Sequence, residues 1–467
     1  MKRGAANNDE QGAARSTGRR IIIIGAGQIG FEVAKALAPS HSVFVVDHDP
    51  AVAEPLGALD VQFVQGSATS ANSLRGAQVE RADLLIACTG LDEVNIVACS
   101  IANRLGEPET ICIVSKDDFL RPADSGDSLR ELFGIDRIVW PEAQLADDIE
   151  RVIAVPGAID VELFADGRIQ LVEYKLPGRS PLTSAPIADQ HLPRGALVVA
   201  VKHGDRFFIP NGATRLAPDD KIFVMGTARA MDEVQARVGA AAPARRNTVV
   251  TIIGGGDVGF RLAQRLDRQA NVELRLIESD RERGELIAAS LNRALVLTGD
   301  GTDLELLESE QIGRSDVLVS VIDNDEKNLL ASLLGRQLGV RKIITRVGKP
   351  SNLRLFERVG IDVAISARGA AVAAIRHTIE GGRSSLLAVL EEGQARVLEI
   401  EVPAGFEPAE LRHLKAPPDS IVGAILRRRD AIVPRGEDVI EPGDRLIVFA
   451  ASKSAAQVRD YFAESQH

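Results

Sequence analysis

Aromatic residues are scarce in this chain: one Trp, two Tyr and 14 Phe among 467 residues. A core without many large rings must be filled by Val, Ile, Leu and Ala, which suits layered α/β packing. Cysteine is almost absent too. Cys88, Cys99 and Cys112 show no C-x-x-C spacing, which excludes a disulfide scaffold and a zinc motif and leaves core packing in a reducing cytoplasm. Long apolar runs are missing. A stretch such as Ala196 to Val201 falls far short of the ~20 residues that a membrane-spanning helix needs. No secretory apolar segment marks the first residues. The expectation is a soluble protein whose membrane role, if any, runs through a partner. Positive charge is in deficit, with a net charge of −11; this argues against nonspecific nucleic-acid binding. Arg427-Arg428-Arg429 reads as a solvated hairpin. The seven His do not cluster, and none has triad or metal spacing, so no catalytic residue and no metal site is expected. His48, beside Asp47, reads as solvated or adenine-facing.

What the chain does have, it has twice. Gly25-Ala26-Gly27-Gln28-Ile29-Gly30 follows Ile21 to Ile24, and Gly254-Gly255-Gly256-Asp257-Val258-Gly259 follows Val249 to Ile253. Each leads into an apolar-periodic helix. In G-x-G-x-x-G the first Gly turns the chain, the second admits a pyrophosphate, and the third lets helix and strand pack. The helix N-terminus then offers free N–H groups to an anion. Such a motif is specific in this strand–turn–helix setting and weak outside it. The next strand of each copy ends in an acid, Asp47 or Glu278, about 20 residues on. An acid there can accept the ribose hydroxyls of NAD and would repel a 2′-phosphate. Adenine nucleotides share the ribose and stay possible.

The duplication extends beyond the turns. Asp92-Glu93-Val94-Asn95 matches Asp325-Glu326-Lys327-Asn328, and Phe133-Gly134-Ile135-Asp136 matches Val359-Gly360-Ile361-Asp362. Pro218-Asp219-Asp220-Lys221 matches Pro442-Gly443-Asp444-Arg445. The expected fold class is α/β: two doubly wound Rossmann-type parallel-sheet domains, each followed by a small α+β domain. Expected boundaries are a disordered tail over 1–19, a first nucleotide-binding domain over 20–153 and its attachment over 154–239. A linker over 240–247, a second nucleotide-binding domain over 248–380 and its attachment over 381–462 complete the order. In the first copy strands are expected at 21–25, 42–47, 61–65, 83–88, 110–115 and 137–140, and helices at 28–38, 50–58, 70–76, 93–105 and 144–153. Thr89-Gly90 and Ile322-Asp323 close the fourth strands and should face a bound nucleotide at the switch point. Asp92, Glu93, Asp325 and Glu326 open a helix, where the dipole alone favours acids. Asn95 and Asn328 either pack on the nucleotide turn or make a subunit contact.

These doubled features together resemble the TrkA family, the peripheral regulatory subunits of Trk potassium-uptake systems. Their halves are RCK/KTN domains, each a Rossmann-type part and a small C-terminal part. Asp92-Glu93-Val94-Asn95-Ile96-Val97-Ala98-Cys99 carries the resemblance most specifically, and it covers nearly all of residues 20 to 462. It implies a cytoplasmic protein, peripheral on the inner face of the membrane, that binds NAD or NADH and in some members ATP or ADP. It further implies a homotetramer docked on a Trk-type potassium-translocating membrane subunit whose gate it controls, with no enzyme activity. The cofactor contacts it implies are Gly25, Ala26, Gly27, Gln28, Ile29, Asp47, Thr89 and Gly90 in the first copy. In the second they are Gly254, Gly255, Gly256, Asp257, Val258, Glu278, Ile322, Asp323 and Arg346. Two departures stand out. The family's strand-five Arg is present as Arg346, but Ile113 takes that position in the first copy, so the second site should bind more tightly or bind a different nucleotide. The first copy also carries extra residues near Arg121 to Ser128, expected as a mobile loop. The alternatives are an NAD-dependent dehydrogenase, separable by substrate-dependent cofactor reduction, and a regulator of another cation transporter, separable by neighbouring genes.

Overall fold

The computed structural model describes residues 18–116, 119, 129–239, 247–379, 384–390 and 393–464. Nearly all of the expected tail and linker, and the expected loop at 121–128, lie outside the described residues. The chain divides into two compact units, Met1–Pro141 and Glu142–His467.

The first unit alternates strand and helix: β1 (Arg20–Ile24), α1 (Gln28–Leu37), β2 (Ser42–Asp47), α2 (Ala53–Leu56), β3 (Val61–Gln65) and α3 (Ala71–Gly76). It continues with β4 (Leu84–Ala87), α4 (Asp92–Leu105), β5 (Glu109–Ile113), α5 (Leu129–Phe133) and β6 (Arg137–Val139). The strands are parallel in the order β3-β2-β1-β4-β5-β6. Ile21 to Ile24 and Leu84 to Ala87 are fully buried. They read as unbroken apolar runs because helices cover both sheet faces. The short α5 was not expected from the sequence. The three cysteines sit in this core. Burial pushes the Cys88 thiol up to about 12, with the charge of Asp47 adding to it, so it is a packing residue and not a nucleophile.

The second unit opens with α6 (Pro141–Ala154). Chain order places this helix with the first sheet; its side chains lie elsewhere. Leu145, Ile149 and Val152 share a core with Val250, Leu262, Val319 and Ile344 of the second parallel sheet. Arg265 pairs with Asp147 and Glu150, and the Lys342 amine donates to the carbonyls of Val152 and Val155 at 2.6 and 3.4 Å. A small antiparallel sheet follows: β7 (Ala158–Phe164), β8 (Ile169–Lys175), β9 (Ala196–His203), β10 (Arg206–Phe208), β11 (Lys221–Gly226), closed by α7 (Ala228–Val238). Its order is β10-β9-β11-β8-β7.

The second parallel sheet then repeats the first. It comprises β12 (Thr248–Ile253), α8 (Asp257–Leu266), β13 (Val272–Glu278), α9 (Arg281–Ser290), β14 (Leu295–Thr298) and α10 (Leu304–Ser309). It goes on through β15 (Val317–Ser320), α11 (Asp325–Leu338), β16 (Lys342–Arg346), α12 (Leu353–Arg358) and β17 (Val363–Ile365), in the order β14-β13-β12-β15-β16-β17. Helix α13 (Ala367–Ile379) leads to β18 (Ser384–Leu390), β19 (Ala395–Glu401), β20 (Ala409–Glu410), β21 (Ser420–Arg427), β22 (Asp430–Ile432), β23 (Val439–Ile440), β24 (Arg445–Ala451) and α14 (Ala455–Glu464). The order β18-β19-β24-β21-β22 is that of the first small sheet, strand for strand. The fold is therefore two doubly wound parallel-sheet domains, each with a small sheet domain after it.

The two small sheets share one core. Phe164, Leu171, Val199 and Phe223 of one pack with Val397, Leu426 and Phe449 of the other, and Phe207 stacks on Phe449 with ring centres 6.1 Å apart. Arg427 is not simply solvated. Its guanidinium forks onto both oxygens of buried Asp444 at 2.8 Å, while Arg428 takes the left-handed backbone of the hairpin turn.

Candidate functional site

Both glycine turns have the geometry their sequences require. Gly25 and Gly254 have φ of +96° and +103°, where a side chain would be strained. A Cβ on Gly30 would lie 1.9 Å from the Gly25 carbonyl oxygen, and one on Gly259 1.9 Å from that of Gly254. The third Gly is thus needed for the helix to approach the turn. The middle Gly differs. A Cβ on Gly27 or Gly256 would meet nothing within 4 Å, so open space lies before each helix N-terminus. Neither α1 nor α8 carries a side-chain cap. Its first N–H groups face that space, an arrangement suited to a phosphate.

The strand-two acids are tied to these turns. Asp47 Oδ2 accepts the Ala26 N–H at 2.6 Å and Oδ1 the Asp49 N–H at 2.9 Å. Glu278 Oε2 accepts the Gly255 N–H at 2.7 Å and Oε1 the Asp280 N–H at 2.8 Å. Oδ2 of Asp47 and Oε2 of Glu278 each keep a second lone pair for a ligand hydroxyl, whereas Asp47 Oδ1 also meets His48 Nδ1 at 3.1 Å and Glu278 Oε1 also accepts the Ser279 hydroxyl at 3.2 Å. The acids therefore shape the turn.

The Asp-Glu-x-Asn phrase has a more specific role than dipole matching. Buried Asn95 accepts the Thr89 N–H at 2.8 Å and donates to the carbonyls of Thr89 and Ile113. Asn328 does the same with the Ile322 N–H at 2.8 Å and the carbonyls of Ile322 and Arg346. Asp92 accepts the N–H groups of Ser115 and Lys116, and Asp325 those of Gly348 and Lys349. Burial alone would raise Asp325, but the Gly348 N–H, the Asn352 amide and the Lys349 N–H together hold it below the usual carboxylate range. One helix start thus fastens the ends of strands four and five, the edge where open α/β sheets take ligands. The Asn side chains are thus engaged within their own domains, on residues that end or follow strands four and five.

In the second domain these pieces enclose a cavity of about 430 Å³, within the range of small-ligand sites. Of the residues expected from sequence, Gly254, Gly256, Asp257, Val258, Glu278, Ile322, Asp323 and Arg346 line it, and Gly255 stands behind, on Glu278. Sequence reading missed Arg283, Asp300, Lys327 and Glu142, which also line it. Arg283 donates to the Gly255 carbonyl at 2.7 Å and lies 3.4 Å from Asp257. Lys327 pairs with Asp300 at 3.1 Å, and Arg346 with the exposed Asp323 at 3.0 Å. The Thr302 hydroxyl and N–H, with Lys327, hold Asp300 at about 2. A signal for two of these lay in the repeat. Lys327 is the variable position of Asp-Glu-x-Asn, and Arg283 follows the strand-two acid by five residues.

The first domain brings its own set together at the same places. Thr89 abuts Gly25, whose added Cβ would lie 3.0 Å from it, and Gly90 faces open space. Yet Val52, Val94 and Ile113 occupy the positions of Arg283, Lys327 and Arg346, and Gly90 that of Asp323. The strand-five comparison pointed to one missing cation; matching the positions that line the second cavity shows three. Among the described residues no cluster of His, Cys, Asp and Glu could hold a metal ion, and no helix is long and apolar enough to cross a membrane.

Comparison with known proteins agrees with this architecture. The TrkA-N domain model matches residues 21–141 and 250–367, and the TrkA-C domain model residues 171–239 and 397–463. The chain is 36% identical over 452 residues to Trk system potassium uptake protein TrkA homolog 1 of Methanosarcina mazei, covering 95% of this chain and 100% of that one. It is 31% identical over 450 residues to Trk system potassium uptake protein TrkA of Haemophilus influenzae, covering 93% and 96%. Among solved structures, the GsuK RCK domain superposes with a TM-score of 0.59 at 21% identity, covering 97% of this chain and 96% of that chain. The GsuK channel bound to NAD gives 0.59 at 21%, covering 97% and 80%. At such identity the likeness is one of fold. By its doubled domain models and its full-length relatives, the chain belongs to the TrkA family of Trk potassium-uptake proteins.

Proposed function

We propose that this chain is a cytosolic regulatory subunit of a Trk-type potassium transporter, and that NAD or NADH, with ATP or ADP as competitors, is its ligand. The nucleotide occupies the glycine turns, with phosphates at the N-termini of α1 and α8. The ribose lies toward Asp47 or Glu278, and the ligand reaches Thr89-Gly90 or Ile322-Asp323 and, in the second site, Arg346. Binding energy biases a conformational equilibrium that a potassium-translocating membrane subunit reads, a coupling of typically ~1–3 kcal/mol. No bond in a substrate is broken. The observation that carries the reading is the second cavity. It joins an uncapped helix N-terminus, an acid-tied glycine turn and three cations in a chain whose full-length relatives are named for potassium uptake.

The sites are unequal in this account. The second, with Arg283, Lys327 and Arg346, binds anionic nucleotide more tightly than the first, where Val52, Val94 and Ile113 stand. Self-association as a tetramer on the cytoplasmic face of the membrane completes the proposal. Exposed Val97 on α4 and exposed Leu330 on α11 support it, because both domains present an apolar side chain at the matching place. Calorimetric titration of NAD, NADH, ATP and ADP into wild type, Gly27→Asp and Gly256→Asp tests the reading. Gly256→Asp should remove the tighter event and Gly27→Asp the weaker one. Abolition of all binding by Gly27→Asp, with Gly256→Asp silent, would overturn the ranking.

A further inference from the structure

Helix α6 and strand β7 are joined by Val155-Pro156-Gly157, where Gly157 has a φ of +78°. A left-handed glycine after a helix lets the chain turn off its axis. On one side of this joint α6 is held in the core of the second parallel sheet through Leu145, Ile149 and Val152. On the other side β7 belongs to the first small sheet, paired along its length with β8. The joint therefore sets how the small sheet is carried on the parallel sheet that α6 covers.

Carboxylates crowd this joint. Asp160 and Glu162 lie two residues apart on β7 and so share a face. Glu173 of β8 stands directly opposite Asp160 in the ladder, a like-charge placement that costs stability. Asp148 comes from α6; its neighbours Asp147 and Glu150 are taken by Arg265. Two cations answer. Arg151 of α6 pairs with Asp148 and donates from Nε to the Val161 carbonyl at 3.1 Å. Lys221 of β11 lies 3.1 Å from Glu173 and 3.6 Å from Glu357 of α12. Asp148 also accepts the Gln144 amide at 3.1 Å, and Asp160 accepts the Val161 N–H at 2.8 Å. The Glu162 carboxylate has no hydrogen-bonded or ion-paired partner among the described residues. Behind the joint the Lys342 amine is spent on the Val152 and Val155 carbonyls.

We propose that the α6–β7 joint is a proton-locked hinge: a neutral Glu162 lets the first small sheet close on α6, and its ionisation releases the sheet. Burial first, then the charge of Asp160, lifts Glu162 to about 8 against the pull of Arg151. Burial also raises Asp148 and Asp160. In the opened joint the carboxylate is solvated and releases its proton near ~4.3. Between these values the closed joint holds more protons than the opened one. Opening therefore becomes easier as pH rises, by up to about tenfold per pH unit, and levels off above about 8. The device is independent of the glycine turns and gives the chain a second input, pH, beside any ligand.

Amide hydrogen exchange of the full chain, corrected for the intrinsic pH dependence of exchange, reads the opening of β7 with β12 as internal reference. In wild type, β7 opening should rise severalfold per unit between about pH 5.5 and 8 and then flatten, while β12 stays level. Glu162→Gln is neutral throughout and should remove most of that rise. Asp160→Asn removes the nearest like charge and should move the plateau to lower pH. Lys342 is present in all three proteins, so its own titration drops out of the comparison. A wild-type β7 indifferent to pH, or a Glu162→Gln protein that rises in parallel with wild type, would overturn the proposal. If Glu162→Gln does not fold, Asp160→Asn decides alone, and an unmoved plateau rejects the lock.

Discussion

Arg346 and Asp323 form an ion pair across the mouth of the second cavity, and an incoming phosphate must compete for it. Arg346 is one-fifth exposed while Asp323 is 92% exposed, with 3.0 Å between them. A pair with so exposed a partner contributes ~0–1 kcal/mol. A charge-assisted bond from the sheltered guanidinium to a phosphate is worth about 1.5–3 kcal/mol. The phosphate therefore wins. Arg346→Ala should weaken nucleotide at this site by roughly 2- to 150-fold, since the net exchange is about 0.5–3 kcal/mol and 1.4 kcal/mol is tenfold. Asp323→Asn removes the competitor and should tighten anionic nucleotide by up to about fivefold. Arg346→Lys should recover part of the loss as a point charge without the fork. Calorimetry in the Gly27→Asp background reads all three. An Arg346→Ala protein with affinity within twofold of its parent, or an Asp323→Asn protein that binds more weakly, would refute the exchange of partners.

Three further outcomes follow from the same geometry. Asn328→Ala strands the partly buried backbone groups of Ile322 and Arg346 and should cost about 2–3 kcal/mol in urea unfolding; a loss under ~1 kcal/mol would contradict the stapling role. Gly259→Ala should destabilise the fold strongly, because its Cβ would lie 1.9 Å from a carbonyl oxygen, whereas Gly256→Ala should fold normally and lose nucleotide affinity. Equal thermal stability of the two variants would sink that distinction. Burial lowers the Lys342 amine to about 7 in the folded chain, against ~10.4 unfolded. Between those values the unfolded chain holds more protons, so stability rises as pH climbs from about 7 toward 10, by ~1–3 kcal/mol. Thermal melts of wild type should show that rise relative to Lys342→Met, and parallel pH curves would count against it.

Much of the architecture was legible because it is local. Ile21 to Ile24 and Val249 to Ile253 announce buried strands, the glycines announce turns, and Pro218-Asp219-Asp220 and Pro442-Gly443-Asp444 announce matching turns before a strand. What could not be read was which element packs against which. Helix α6 has an ordinary apolar stripe, and nothing in that stripe says it covers the second sheet instead of the first. Glu142 enters the second cavity for that reason alone. Asp300 and Lys327 lie 27 residues apart and become neighbours through strand order, not through spacing. Arg427 looked like one of three solvated cations because Asp444, its partner, is a neighbour through the β21–β24 pairing. The double substitution of Gly90 and Ile113 for Asp323 and Arg346 becomes intelligible once the second copy shows the two as a pair.

The most direct test of the central claim is nucleotide-dependent potassium flux. The full chain is reconstituted with a Trk-type membrane subunit in vesicles, and uptake is measured with and without NAD, NADH, ATP and ADP, for wild type and Gly256→Asp. The account predicts that at least one nucleotide changes flux severalfold and that Gly256→Asp removes most of the response while the complex still assembles. Flux indifferent to every nucleotide, or a full response retained by a Gly256→Asp protein that no longer binds at the second site, would contradict it.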